Sequence, residues 1–176
     1  MNIDEAYARC EAITSAEARN FSYGIRLLRG PERRAMSALY AIARRIDDIG
    51  DGREPPGERL AALWRVRDQL GLLGYGHEDD PVLVALADVA RRYPLPISAL
   101  VEMIEGCEMD VEGTRYATFD ELVGYCRRVA GTVGRLSLSI YGCDQPEAGA
   151  LLADELGVAL QITNICLLYT SDAADE

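Results

Sequence analysis

Residues 40–51 read Tyr40-Ala-Ile-Ala-Arg44-Arg-Ile-Asp47-Asp48-Ile-Gly-Asp51. As a helix, the steps of four, three and four set Tyr40, Arg44, Asp47 and Asp51 on one face. Three carboxylates then crowd the last turn, just before the helix-stopping GDGREPPG at 50–57. Two electrostatic terms oppose this. Asp47 and Asp51 are like charges at i, i+4, and all three acids sit at the negative end of the helix dipole, each penalty being about 0.3–1 kcal/mol. A cation on that face reverses both signs. Paired carboxylates without His or Cys suit a hard ion such as Mg²⁺, which keeps waters and accepts phosphate oxygens. The plainer reading is a solvated acidic helix end partnered by Arg44 and Arg45, and the spacing alone leaves both open.

Outward from this segment the helical pattern continues, and hairpin signals are missing. Residues 3–14 have helical composition, and Pro31 suits the first turn of the helix that carries the acids. Further helices are expected over 58–73, over 81–92 before Pro94, and from Pro96 through Val111. Thr118-Phe-Asp-Glu121 is a capping box that launches a long helix to about 141, and Pro146 opens a last one over 147–165. The expectation is one all-α domain of six to eight helices. The apolar period lapses at Cys166, and CLLYTSDAADE reads as translated sequencing-adapter sequence joined to a gene fragment. Residues 1–165 are therefore taken as the N-terminal part of a single domain and 166–176 as a non-native tail.

Composition bounds the function. The chain has 176 residues, 49% of them apolar, enough to bury a core. Its 18 basic residues, all arginine, face 29 acids, for a net charge of -11, which disfavours general nucleic-acid binding. No stretch reads as a membrane span, and MNIDEAYARC lacks the pattern of a secretory leader. Five scattered cysteines without a C-x-x-C pair read as buried thiols in a reducing, cytoplasmic setting. The one histidine, His77, is expected in a solvent-exposed loop without a chemical role.

Two more segments bear on function. In Tyr125-Cys-Arg-Arg-Val129-Ala-Gly131-Thr-Val133-Gly134, a regular helix puts Tyr125, Val129 and Val133 on one face. Gly131 and Gly134 each cost roughly 1 kcal/mol against Ala within a helix, which argues for close backbone approach, by a neighbouring helix in preference to a ligand. In Gly157-Val-Ala-Leu-Gln161-Ile-Thr-Asn164, two amides at i, i+3 interrupt an apolar helix. Buried, they need partners: each other, another helix, or a polar ligand with its metal.

Together with NFSYGIRLL at 20–28, these segments, RRIDDIGD (44–51), EMDVEGTRYATFDELVGYCRRVAGTVG (108–134) and LGVALQITN (156–164), resemble the squalene/phytoene synthases, the head-to-head trans-prenyl diphosphate synthases. The resemblance runs in the family's order from about Ala18 to Ile165, and its wording is most like the bacterial hopanoid-associated branch that makes presqualene diphosphate from two farnesyl diphosphates. It implies a terpenoid-synthase helical bundle, incomplete at its C-terminus, and a Mg²⁺-assisted prenyltransferase. Asp47, Asp48 and Asp51 match the first aspartate-rich motif that holds metal. Arg44 would contact diphosphate, and Phe21, Tyr40 and Tyr125 would line the reacting ends. Val129 and Val133 would follow the prenyl tunnel. Gln161 and Asn164 would sit beside the second motif, Asn164 helping to hold metal, and Asp110 would face the cavity. NADPH would enter only with a reductive step to squalene. The implied partners are prenyl diphosphates, not nucleic acid, with the inner membrane surface as a site of peripheral contact. Leu167 and Leu168 stand where the family has Arg and the first Asp of its second motif, so the chain as written is expected to be inactive, and Asp172 falls at the last Asp's spacing by coincidence. Alternatives are phytoene synthesis from geranylgeranyl diphosphate, a non-catalytic helical assembly subunit, and a helical domain whose acidic patch binds a basic partner.

Overall fold

The computed structural model describes residues 1–17, 21–75 and 79–172, with the side chains of Phe21 and 168–172 outside the description. All regular structure among them is helical: α1 (Ile3–Glu17), α2 (Phe21–Arg26), α3 (Gly30–Gly50), α4 (Pro56–Gly71), α5 (Pro81–Arg92), α6 (Ile97–Val111), α7 (Phe119–Cys126), α8 (Thr132–Tyr141) and α9 (Pro146–Asp172). His77 falls outside the described residues. The all-α architecture that the sequence implied holds among the described residues.

The starts of the helices follow the expected chemistry. Pro31, Pro56 and Pro81 stand in the first turns of α3, α4 and α5, where a missing N–H costs nothing. Thr118 Oγ1 accepts from the Glu121 N–H at 3.3 Å while Glu121 Oε2 accepts from the Thr118 N–H at 3.2 Å, the reciprocal bonds of a capping box. Helix α2 was not expected; at six residues it is too short for a periodic signal.

Helix α3 is the axis of the fold. It touches α1, α2, α4, α5, α6 and α8. Its Ile42 and Ile46 are fully buried, with Leu63 of α4, Leu83 and Leu86 of α5, and Leu100 and Ile104 of α6 around them. A long-range pair locks its angle: Arg45 donates to both carboxylate oxygens of Asp80 at 2.8 and 2.9 Å. Asp80 also caps α5, accepting from the N–H groups of Val82 and Leu83.

Three expectations are corrected. The helix from 118 to 141 is not regular: Arg127–Gly131 forms a π turn between α7 and α8, in which the Thr132 N–H reaches back five residues to the Arg127 carbonyl. One extra residue in the turn rotates every later side chain about the helix axis by about 100°. Helix α9 does not end near 165, because no Gly or Pro after Gly157 stops it. And Pro146–Leu167 is long and apolar enough to cross a membrane by length and composition, with a mean hydropathy of 1.4 and 6% of the window buried. Within it, however, Asp154 is ion-paired to Arg135 of α8, which holds the helix against the protein. The cysteine expectation divides: Cys10, Cys107 and Cys126 are buried, and Cys143 and Cys166 are exposed.

The glycines of the second and third segments carry the packing. A Cβ on Gly157 would lie 2.5 Å from the Gly131 nitrogen and 2.6 Å from its Cα, so α9 and the π turn meet backbone to backbone. A Cβ on Gly134 would lie 2.9 Å from the Ala153 carbonyl oxygen. Neighbouring helix, not ligand, explains both glycines of the 125–134 segment. We expect Gly157→Ala to cost about 1–3 kcal/mol through overpacking. At roughly 2–4 °C per kcal/mol for a domain of this size, thermal melting would show a loss of several degrees. Gly71→Ala, whose Cβ meets nothing within 4 Å, should leave the midpoint unchanged or raised.

Candidate functional site

The C-terminal turn of α3 is where the site begins. Gly50 lets α6 approach, since a Cβ there would lie 3.3 Å from the Cys107 Cβ. That contact sets the acids of α3 beside Asp110 of α6. Burial first, then the charges of Asp51 and Asp47, push the Asp110 carboxyl above its ordinary range, against a hydrogen bond that lowers it. The bond is from the Tyr125 hydroxyl, which donates to Asp110 Oδ2 at 2.9 Å. Burial is also the largest cause raising Asp47, ahead of the negative charge of Asp51.

Little positive charge balances this face. Arg44 Nη1 donates to Asp47 Oδ2 at 3.2 Å, and Nη2 lies 2.7 Å from Asp48 Oδ1. Arg45, expected to share the task, is committed to Asp80. Arg59 Nη1 donates to the Gly50 carbonyl at 2.6 Å, satisfying a helix-end acceptor. Among the described residues, the ion pairs of this acidic helix end are those of Arg44 to Asp47 and to Asp48.

Tyr40 is half-buried on the same helix; burial raises its hydroxyl and the charge of Arg44 lowers it. Tyr116, which sequence reasoning missed, stacks against Tyr125 with ring centroids 5.2 Å apart. Its hydroxyl is buried without a partner, and burial pushes it up to about 12. Tyr116 stands in a loop, where no helical period marks it.

The remaining predicted residues divide. Val129 packs onto α6, its Cγ1 2.6 Å from where a Gly106 Cβ would stand. Val133 is 47% exposed, so it does not line an enclosed tunnel. Gln161 is half-buried and Asn164 exposed, so neither is the fully buried amide the sequence suggested. Both lie on α9, which touches the π turn and α7. The side chain of Phe21 lies outside the described residues. A cavity of about 870 Å³ between α1, α3, α4 and α5 includes Arg44 and Asp48 in its wall, but Arg9, Arg59, Glu54 and Glu58 also line it, and it is not an apolar tunnel.

Oxygen donors under mutual repulsion fit Mg²⁺ in kind. Among the described residues no three His, Cys, Asp or Glu side chains converge closely enough to enclose an ion. Asp47, Asp48 and Asp51 would hold it from one side, with phosphate oxygens and water completing the shell.

The sequence profile of the squalene/phytoene synthase family matches residues 14–176. A phytoene synthase of Mycobacterium tuberculosis is 49% identical over 163 residues, 93% of this chain and 53% of that protein. Two solved structures share the fold. The squalene synthase of Alicyclobacillus acidocaldarius superimposes with a TM-score of 0.83 at 31% identity, over 92% of this chain and 60% of its own. A dehydrosqualene synthase in complex with ligand gives 0.82 at 29% identity, over 93% and 56%. The chain thus spans just over half the length of these relatives.

The electrostatics predict a measurable sign. Raised carboxyls mean that the folded chain holds the protons of Asp47 and Asp110 more readily than the unfolded chain. That stabilisation is complete below the ordinary carboxylate pKa and is lost as pH rises through the raised values, leaving net repulsion at neutral pH. Asp47→Asn should therefore raise the metal-free melting temperature at pH 7 by about 1–3 °C, the effect of relieving a screened like-charge pair. Added Mg²⁺ should raise the wild-type midpoint more at pH 7 than at pH 4, and raise that of Asp47→Asn less.

Proposed function

The chain belongs to the squalene/phytoene synthase family, and on that premise we propose that it supplies the diphosphate-activating part of a head-to-head condensation of two prenyl diphosphates. The observation that carries this reading is the under-neutralised acidic end of α3 against Asp110 and Tyr125. A prenyl diphosphate leaves readily only when its negative charge is neutralised. Mg²⁺ held by Asp47, Asp48 and Asp51 would supply that neutralisation when bound. Arg44, fixed between two carboxylates, presents a guanidinium at the same edge, suited to phosphate oxygens.

Departure of diphosphate leaves an allylic cation, which water would quench. The ring faces of Tyr116 and Tyr125 are suited to stabilising positive carbon. Tyr125 is fixed by its bond to Asp110, and its own hydroxyl is pushed far up by burial and by that carboxylate, so it stays protonated and is no general base near neutrality. The cation alkylates a double bond of the second molecule, and loss of a proton closes a cyclopropane.

Substrate length is where the sequence-based preference yields. Residue wording favoured farnesyl diphosphate. The 49% identity to a phytoene synthase supports geranylgeranyl diphosphate better, whereas the squalene-type relatives stand at 31% and 29%. The intact Asp47, Asp48 and Asp51 speak against a non-catalytic assembly subunit.

The test is equilibrium binding of non-ionising S-thiolodiphosphate analogues of both prenyl lengths, with Mg²⁺. We expect the C20 analogue to bind tighter, by at least about fivefold, roughly 1 kcal/mol. Asp51→Ala should abolish binding of either. Equal or tighter binding of the C15 analogue moves the reading to squalene-type chemistry, and no Mg²⁺-dependent binding of either overturns it.

A further inference from the structure

Helix α9 carries Asp154, Gly157, Gln161 and Asn164 at steps of three, four and three, one stripe of the helix. The leucines around the stripe offer no hold: Leu151, Leu152, Leu156, Leu160 and Leu167 are each 62–66% exposed. The stripe side meets the π turn and α8. There the glycine contact brings the backbones together, but a surface without side chains resists neither sliding nor rotation.

A pair of charged side chains supplies what the glycines lack. Arg135 of α8 donates to both oxygens of Glu102 on α6, Nη1 at 3.0 Å from Oε1. Its Nε lies 2.9 Å from Asp154 Oδ1 on α9, in ion-pair contact though off the hydrogen-bond direction. Arg127 of the π turn approaches the other Asp154 oxygen at 3.6 Å. Exposure of the Arg135 and Asp154 side chains is 18% and 14%. Asp154 also abuts Gly131, whose Cβ would stand 3.2 Å from the Asp154 Cα. Ion pairs drawn partly out of solvent in this way add little net stability, and their best-attested use is to fix register, because a shifted partner leaves an uncompensated charge.

We propose that Arg135 and Asp154 are positioning residues. Their pairing sets the rotation and register of α9 and so aims Gln161 and Asn164 toward the diphosphate site, a role that rests on the function proposed above. Neither residue touches the reacting groups.

Two readouts test this. In amide hydrogen exchange, Asp154→Asn should speed exchange across 155–165 by about tenfold or more and leave α3 and α5 unchanged, with Arg135→Lys giving a smaller effect. Unchanged exchange in 155–165, or equal loosening of every helix, overturns the proposal. If Asp154→Asn does not fold, Arg135→Lys carries the comparison. In Mg²⁺-dependent binding of the C20 S-thiolodiphosphate analogue, Asp154→Asn and Gln161→Ala should each weaken affinity by about fivefold, and the double variant no further. Additive losses overturn the link to Gln161. If the wild-type chain binds no analogue, the proposed function falls, while the exchange experiment still decides whether the pair holds α9.

Discussion

Three carboxylates at the end of a buried helix, answered by one arginine, are the constraint on which the arrangement depends. Helix α3 cannot rotate its acids apart from the neighbouring helices, because Ile42 and Ile46 are fixed in the core and Arg45 is tied to Asp80, so Asp47, Asp48 and Asp51 stay together at an exposed helix end. Gly50 then draws α6 close enough for Asp110 to add to the crowding. Each repulsion is small beside the burial of a single core side chain, about 1.5–3 kcal/mol, so the fold tolerates them. What remains is a face that favours cations by construction. The arrangement yields some local stability in exchange for affinity.

The second half of the described chain is built on a different principle. Around the π turn, close approach is obtained with glycine: Val129 lies over Gly106, and Gly131 lies against Gly157. Apolar burial contributes less to α9, whose leucines stay on the surface. The seat of α9 therefore depends on the charged contacts of Asp154. Tyr116 and Tyr125 stand between these two regions, the acidic end of α3 and the glycine-packed helices.

Much of this was legible in the sequence because it is local. Pro31, Pro81 and the Thr118–Glu121 box mark helix starts through the backbone groups of their own first turns. Gly131 and Gly134 announced tight packing by their cost in a helix. What escaped was what tertiary contact decides. The π turn has no local signature, yet it interrupts the regular helix expected from 118 to 141. Arg45 lies beside the acids in sequence and 35 residues from the aspartate it pairs with. Gln161 looked buried because its neighbours are apolar, yet Leu160 beside it is 62% exposed. Tyr116 gave no signal, since a loop tyrosine becomes informative only once Tyr125 is placed against it.

The central claim is that the acidic end of α3 recognises diphosphate through a divalent cation. Calorimetric titration of the chain with inorganic diphosphate, with and without Mg²⁺, tests it without any prenyl chain. We predict binding only when Mg²⁺ is present, weakened at least about tenfold, or 1.4 kcal/mol, by Asp51→Ala. Metal-independent binding, or an affinity indifferent to Asp51→Ala, would contradict it.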